Sequence, residues 1–496
     1  MFVARFLLLV AATLYCNLLL AEASFAQSVG KPNIVFILTD DQAADCLAAW
    51  GTWGNDHSIV QTPNLDRLVQ RGTSFRRAYN MGSFTGAVCV ASRAMLLSGR
   101  YLWAAQAAET TEFRELIEAK RTWPQRMKNA GYATYFAGKW HVAAPVNTLF
   151  EQVRNVRPGM PPTVEASYQR PPATEPDGWR PWDTTHGGYW QGGQHWSEVL
   201  VDDAIAFLRH AASETKPFFM YLAFNAPHDP RQSPREYVER YPFERVPVPE
   251  NFLPTQPFHE AMGLGTADRK GLRDEVLAPF PRTEQAIRLH RQEYYALVTH
   301  TDAQIGRILA ALEASTQLDN TIIIFTSDHG LAVGRHGLMG KQNMFEHSVR
   351  VPWVIAGPGI PAGQSIEAPI YLQDAMATAL DLAGADQHGL DFQSLLPLIR
   401  GQLSETRSSI YAAYLADRQR AILQGDLKLI LYPTIGKSLL FDLAADPLEM
   451  HNLAEQPDSV PAQRKLFAEL RTWQNRIGDP LDLVKVFPDL NRDIDH

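Results

Sequence analysis

The chain has 496 residues, more than a single compact core accommodates, which points to a large domain with a smaller companion. With 45% hydrophobic and 20% charged residues its composition is that of a globular protein, so wholesale disorder is excluded. The net charge of −8 argues against a nucleic-acid binder, which carries a basic patch or stripe.

The first element is an export signal over residues 1–26. Arg5 supplies a positive start, Phe6 to Leu20 is a largely apolar run, and small residues at Ala21-Glu22-Ala23 or Ser24-Phe25-Ala26 offer cleavage sites. A membrane anchor is the competing reading, but the run is short for a span and Asn17 interrupts it. Cys16 suggests a lipoprotein, yet bulky Tyr15 stands where such sites need a small residue. The mature chain is therefore expected to be periplasmic or extracellular, with no stable membrane insertion. Removing Arg5 and Glu22 together leaves the net charge unchanged, and only Cys46 and Cys89 remain. Two cysteines do not make a disulfide framework in an exported chain of this size. Either they pair, or at least one has a chemical task.

Asn33 to Thr39 is a continuous apolar run ending in Asp40-Asp41, which suits a central parallel strand buried on both faces. Thr62-Pro63 opens a helix with Thr62 as N-cap, Leu65, Leu68 and Val69 on one face, and Gly72 as stop. Further buried strands are expected over Pro217 to Phe224, Thr321 to Thr326 and Val351 to Ala356, with a helix over Thr283 to Ala314. Strands alternating with helices predict an α/β fold, a mostly parallel sheet covered on both faces. In such sheets ligands lie beyond the carboxyl ends of the strands. Residues 150 to 195 and 226 to 282 are too long for simple connectors and are read as walls of a pocket. Beyond residue 365 the pattern changes: a helix over Leu372 to Leu382, short strands over Ser408 to Leu431 and a final helix over Gln463 to Ile477. The expected division is a catalytic domain over 31–365 and a C-terminal α+β subdomain over 366–496.

Two clusters of chemistry stand at the expected strand ends. Asp40, Asp41, Asp328 and His329 form the first. A lone Asp at a strand end more often caps a turn, but Asp-Asp and Asp-His closing two buried strands favour a hard cation held by carboxylates. Arg93, Lys139, His141, His228 and Lys341 form the second. Arg and Lys beside a metal make a clamp for a tetrahedral oxyanion, although a single Lys would by default be a solvated surface charge.

The segment Cys89-Val90-Ala91-Ser92-Arg93 resembles the signature of the type I, formylglycine-dependent sulfatases, within the alkaline-phosphatase-like superfamily. Leu97-Ser98-Gly99-Arg100-Tyr101 continues it. Matching motifs follow the family order: Thr39-Asp40-Asp41, Thr62-Pro63-Asn64-Leu65-Asp66, Gly138-Lys139-Trp140-His141, Pro227-His228, Ser327-Asp328-His329-Gly330, Gly340-Lys341, Arg350-Val351-Pro352 and the late Phe441-Asp442-Leu443 to Leu453. Each is weak alone; the ordered set, from about residue 31 to about residue 476, is specific. Ala91 stands where Pro is commoner, a known alternative in the family.

The resemblance implies that a formylglycine-generating maturation enzyme, a transient partner, oxidises Cys89 to 3-oxoalanine. Cys46 then has no partner and reads as a buried thiol. One hydroxyl of the aldehyde hydrate attacks sulfur and displaces the alcohol, and the other later expels sulfate, which is covalent catalysis with a built-in release step. By the same resemblance Asp40, Asp41, Cys89, Asp328 and His329 bind Ca2+, with Mg2+ as the alternative ion. Arg93 holds the hydrate, and Lys139 and Lys341 neutralise sulfate oxygens. His228 with Lys341 protonates the leaving oxygen, and His141 assists the release step. The substrate contacts are thus Lys139, His228 and Lys341. His329 is the version of this position, Asn or His in the family, common among carbohydrate and choline-type sulfatases.

Among other candidates, His336 and His347 read as structural, and Asp302 as a stabiliser of the fold. Trp182, Tyr189, Trp190, His195 and Trp196 are candidates for a sugar site, against the default that aromatics pack as core. The leading expectation is a sulfuric ester hydrolase acting on a sulfated carbohydrate. Its rivals are a phosphodiesterase or phosphonate monoester hydrolase on the same scaffold, a choline or aryl sulfatase, and a glycan-binding protein without catalysis. The last is disfavoured because no expected catalytic position is missing.

Overall fold

The computed structural model describes residues 30–51, 59–172, 176–264 and 272–492; the expected signal segment 1–26 lies outside them. Eight strands form the central sheet: β1 (Asn33–Thr39), β2 (Gly72–Phe75), β3 (Ala133–Lys139), β4 (Gln152–Arg157), β5 (Phe218–Ala223), β6 (Thr321–Ser327), β7 (Trp353–Ala356) and β8 (Gln364–Ile366). They lie in the order β8-β2-β7-β6-β1-β5-β3-β4. β1, β3, β4, β5 and β6 run parallel, and β7 is antiparallel to both of its neighbours. This is the expected mostly parallel α/β sheet.

The apolar run of β1 explains its central place. Ile34, Phe36 and Leu38 belong to one core, Val35 and Ile37 to another, and all are 0% exposed. Burial on both faces stabilises by roughly 1.5–3 kcal/mol per large side chain. The second core is closed by α1 (Pro63–Arg71), α3 (Trp196–Ala211) and α4 (Glu284–Ala314). The first is closed by α2 (Val88–Ser98) and α5 (Asp374–Leu382). It continues without a break into a second sheet of β9 (Ser409–Tyr414), β10 (Gln419–Gln424), β11 (Leu427–Tyr432) and β12 (Lys437–Asp442), covered by α6 (Val460–Ile477). That sheet is stitched to the main body by the short strand Gly82–Ser83, which pairs with β9 just ahead of α2.

Several expectations change in detail. Val351 to Ala356 is not one strand: Arg350–Val351 pairs in a small separate sheet, and Pro352, with no N–H to donate, separates it from β7. Thr62 precedes α1 but its side chain does not cap the helix; its hydroxyl donates to Asp66 Oδ1 at 3.0 Å. The free N–H groups of Asn64 and Leu65 are taken instead by Asp302 on α4, at 3.2 and 2.8 Å, a stabilising role as expected. Within 150–195 lies β4, whose polar, largely exposed sequence gives no apolar signal. The last long helix starts at Val460, and a further turn, Leu483–Val486, follows it.

Candidate functional site

The parallel strands end on one edge of the sheet, and their ends are tied together there. The Asp328 N–H donates to the Thr39 carbonyl at 3.1 Å, the Asp41 N–H to Asp328 Oδ1 at 3.2 Å, and the Gln42 N–H to Ser327 Oγ at 2.9 Å. The Asp40 N–H donates to the Ala226 carbonyl beyond β5 at 3.2 Å. Lys139 closes β3 after Gly138, whose φ of +99° is in the left-handed region. A Cβ at Gly138 would stand 1.9 Å from the Ala223 carbonyl oxygen, so only glycine allows this turn beside β5.

Cys89 sits in the first turn of α2, and Arg93 follows one turn later on the same face. Cys89 Sγ lies 3.2 Å from Asp40 Oδ1, 3.9 Å from Asp41 Oδ1 and 3.3 Å from Lys341 Nζ. Arg93 donates to Asp328 Oδ2 and Asp40 Oδ2, each at 3.0 Å, and to the Lys139 carbonyl at 2.8 Å. Lys139 pairs with Asp40, and Lys341 with Asp41 at 2.5 Å. His228 Nδ1 lies 2.8 Å from the Asp229 carbonyl oxygen, which places the proton on Nδ1 and leaves Nε2 free, 3.7 Å from Asp41 Oδ2.

Burial sets the electrostatics. It raises the Cys89 thiol well above the usual range, and Asp328 and Asp40 push in the same direction. The translated side chain is therefore a protonated thiol and no thiolate nucleophile. Burial also pushes up the carboxyls of Asp41 and Asp328, with Asp40 adding to the effect. For Asp40 burial acts upward too, but Lys139, Arg93 and His228 outweigh it and hold the carboxyl well below its ordinary range. Burial and then Lys139 bring His141 down to about 3. Burial and then Lys341 bring His228 to about 4 and His329 to about 3. All three imidazoles are neutral at pH 7.

Ligand atoms of Asp40, Asp41, Cys89 and Asp328 lie within 4.8 Å of one another, all buried, and His228 joins Asp40 and Cys89 in an overlapping group. His329 falls outside both groups, but both its ring nitrogens are buried without a hydrogen-bond partner among the described residues. Buried polar atoms are seldom left so. Three carboxylates with an orphaned imidazole beside them are a donor set that fits a hard divalent cation.

The structure thus brings Asp40, Asp41, Cys89, Arg93, Lys139, His228, Asp328 and Lys341 into direct contact, with His329 next to them. His141 borders the group from the turn after β3, its Nδ1 without a partner among the described residues. Cys46 and Cys89 are both free, so the pairing alternative is excluded. Of the aromatic candidates, Tyr189, His195 and Trp196 are buried. Tyr189 stacks on His195 and donates to the His228 carbonyl at 3.0 Å, so these rings support the His228 segment instead of lining a cleft. Trp182 and Trp190 are half-buried. His336 stacks on Phe345 with ring centroids 4.0 Å apart, beside His347, which is packing. Sequence reading passes over Asp229, Arg273 and Asp274. Only the position of Asp229 next to His228 hints at them. Arg273 donates to Asp229 Oδ1 at 3.1 Å and to Asp274 Oδ1 at 2.6 Å.

Known proteins resemble this chain over most of its length. The sulfatase family profile matches residues 32–385, and the profile of the N-sulphoglucosamine sulphohydrolase C-terminal region matches 334–476. An arylsulfatase of Clostridium perfringens is 29% identical, covering 92% of this chain and 98% of that protein. An N-acetylglucosamine-6-O-sulfatase of Bacteroides thetaiotaomicron is 25% identical over 90% of this chain and 87% of its own. The solved phosphonate monoester hydrolase of Silicibacter pomeroyi shares the fold with a TM-score of 0.70 at 23% identity, covering 90% of this chain and 96% of that one.

Proposed function

The chain belongs to the sulfatase family and is a sulfuric ester hydrolase, and from that premise we propose that it removes sulfate from a sulfated carbohydrate at an aldehyde made from Cys89. The observation that carries the proposal is the seat of Cys89: buried at the start of α2, against Asp40, Asp41 and Lys341. A cysteine there is a poor thiolate but a well-placed precursor.

Asp40, Asp41, Asp328 and His329, with the converted residue 89, would hold a divalent cation, Ca2+ in preference to Mg2+. When bound, the cation would supply positive charge to a sulfate oxygen, and the hydrated aldehyde supplies a hydroxyl nucleophile in place of the thiol, with a second hydroxyl left to lose its proton as sulfate departs. The chain's own residues do the rest. Arg93, fixed by Asp328 and Asp40, orients the group at position 89. Lys139 and Lys341 neutralise the sulfate oxygens as charge builds. On the leaving side the Lys341 ammonium gives the proton to the departing alcohol, and His228, whose Nε2 carries no proton in its neutral form, orients that alcohol as a hydrogen-bond acceptor. Neutral His141 accepts a proton from residue 89 as sulfate is released.

The carbohydrate assignment draws support from the N-acetylglucosamine-6-O-sulfatase among the relatives. The mature chain is periplasmic or extracellular on the strength of Arg5 and the apolar run after it; among the described residues no helix is long and apolar enough to cross a membrane. Residues 31–365 form the catalytic domain and 366–496 a subdomain that abuts it. The shared scaffold keeps one rival open, a phosphonate monoester hydrolase. The deciding test is kcat/KM of the matured protein on sulfated sugars, 4-nitrophenyl sulfate, choline sulfate and a phenylphosphonate ester. A clear preference for phosphorus refutes the proposal.

A further inference from the structure

Tyr414 ends β9, in the C-terminal sheet, and is 1% exposed. Its hydroxyl is buried with no hydrogen-bond partner among the described residues. A buried hydroxyl left unpaired costs about 1–3 kcal/mol, so each such group calls for a partner or a role. Gly86, having no side chain, leaves methyl-sized room beside the Tyr414 hydroxyl. A Cβ built on Gly86 would stand 3.8 Å from Tyr414 Oη and 3.7 Å from Leu272 Cδ2, clear of any clash. Gly86 lies in the segment that leads into Cys89. Gln342, the neighbour of Lys341, spans the same spot, its Nε2 3.4 Å from the Gly86 carbonyl and 2.9 Å from Asp274 Oδ2.

From Asp274 the wall continues to His228. Asp274 is tied to Arg273 and Arg273 to Asp229, and Asp229 is the residue after His228. The Arg273 side chain is 29% exposed, against 8% for Asp274 and 7% for Asp229. The wall therefore shows the Arg273 guanidinium between two largely buried carboxylates, with the enclosed phenolic hydroxyl of Tyr414 at its far end.

We propose that Tyr414, Gln342, Asp274, Arg273 and Asp229 bind hydroxyl groups of the alcohol that leaves, so that the C-terminal sheet completes the substrate site and its occupant is a sugar. This rests on the reading of residue 89 as the point of attack and of His228 as the leaving-group side. Donors and acceptors alternating along one wall match neighbouring sugar hydroxyls, each of which both donates and accepts. An aryl leaving group offers no such partners. A trimethylammonium group neither donates nor accepts hydrogen bonds, so it leaves these groups without partners.

The test uses the full-length matured enzyme and the variants Tyr414→Phe and Asp274→Asn. Substrates are position-defined monosulfates of glucose, galactose and N-acetylglucosamine, with 4-nitrophenyl sulfate and choline sulfate as references. The expected result is that the wild type prefers one sugar sulfate, and that Tyr414→Phe lowers the ratio of sugar to aryl kcat/KM about tenfold, one hydrogen bond's worth. Asp274→Asn lowers the same ratio and stands in if the Tyr414 variant does not fold. A ratio unchanged in both variants overturns the inference. So does turnover of aryl or choline sulfate with none of the sugar sulfates, a result that leaves the sulfatase reading intact. Absence of turnover on every sulfate ester would instead strike the premise.

Discussion

Replacing Gly159 with alanine should disable His141 while sparing the fold. A Cβ on Gly159 would stand 2.3 Å from His141 Nε2, where ordinary contact begins at 3.4 Å. The ring must therefore move by roughly 1 Å, a misplacement that costs about 10²-fold in rate when the displaced group takes part in chemistry, or about 2.7 kcal/mol of barrier. The loop cannot easily withdraw, because Asn225 Nδ2 holds the neighbouring Pro158 carbonyl at 2.9 Å. His141 is itself held at a φ of +55°. Gly159 is absent from the glycines with positive φ, so alanine brings no backbone strain and the melting temperature should stay close to the wild type. The assay is kcat on 4-nitrophenyl sulfate, with intact mass confirming equal conversion of Cys89 in both proteins. A Gly159→Ala enzyme that is fully converted and turns over at the wild-type rate refutes the placement of His141 in the reaction.

Cys89→Ala should abolish turnover and leave thermal unfolding little changed, as a small residue replaces another without opening a large cavity; residual activity above background would remove residue 89 from the mechanism. Exhaustive chelation should abolish activity and lower the melting temperature, with Ca2+ restoring both; full activity after chelation would exclude the cation. Glu449 and Glu346 share Lys428 in the interior, at 2.8 and 2.9 Å. Burial pushes the Glu449 carboxyl up to about 7 from 4.5, Lys428 opposing. The folded chain thus keeps a proton that the unfolded chain releases, so this group's stabilisation is complete below about pH 4.5 and is lost as pH rises through about 7. Glu449→Gln should flatten the fall of melting temperature across that window, and parallel curves for the two proteins would contradict the reasoning.

How much could be read from the residues alone follows from what is local. A strand buried on both faces writes itself as a run such as Asn33 to Thr39, and its polar successors Asp40 and Asp41 mark a strand end wherever the chain goes next. Parallel strands point those ends to one edge, so Asp40, Lys139, His228 and Asp328 converge once the α/β pattern is recognised. Cysteine scarcity and the spacing from Cys89 to Arg93 are equally local, being one turn of one helix. What is not local was decided by packing. β4 is an edge strand with little to bury, so it carries no apolar period. Pro352 interrupts a run that hydrophobicity alone cannot divide. The N-terminus of α1 is satisfied by Asp302 from a helix more than two hundred residues away, a partner that no motif at Thr62 names. The same holds for the wall beside the site. Tyr414, Asp274 and Gly159 lie far from Cys89 in sequence, and only the meeting of the two sheets and their loops sets them around it. Residue type and spacing determined which reaction chemistry this chain carries. Tertiary packing decided what surrounds it, because the shape and polarity of a pocket wall are properties of contacts between distant segments.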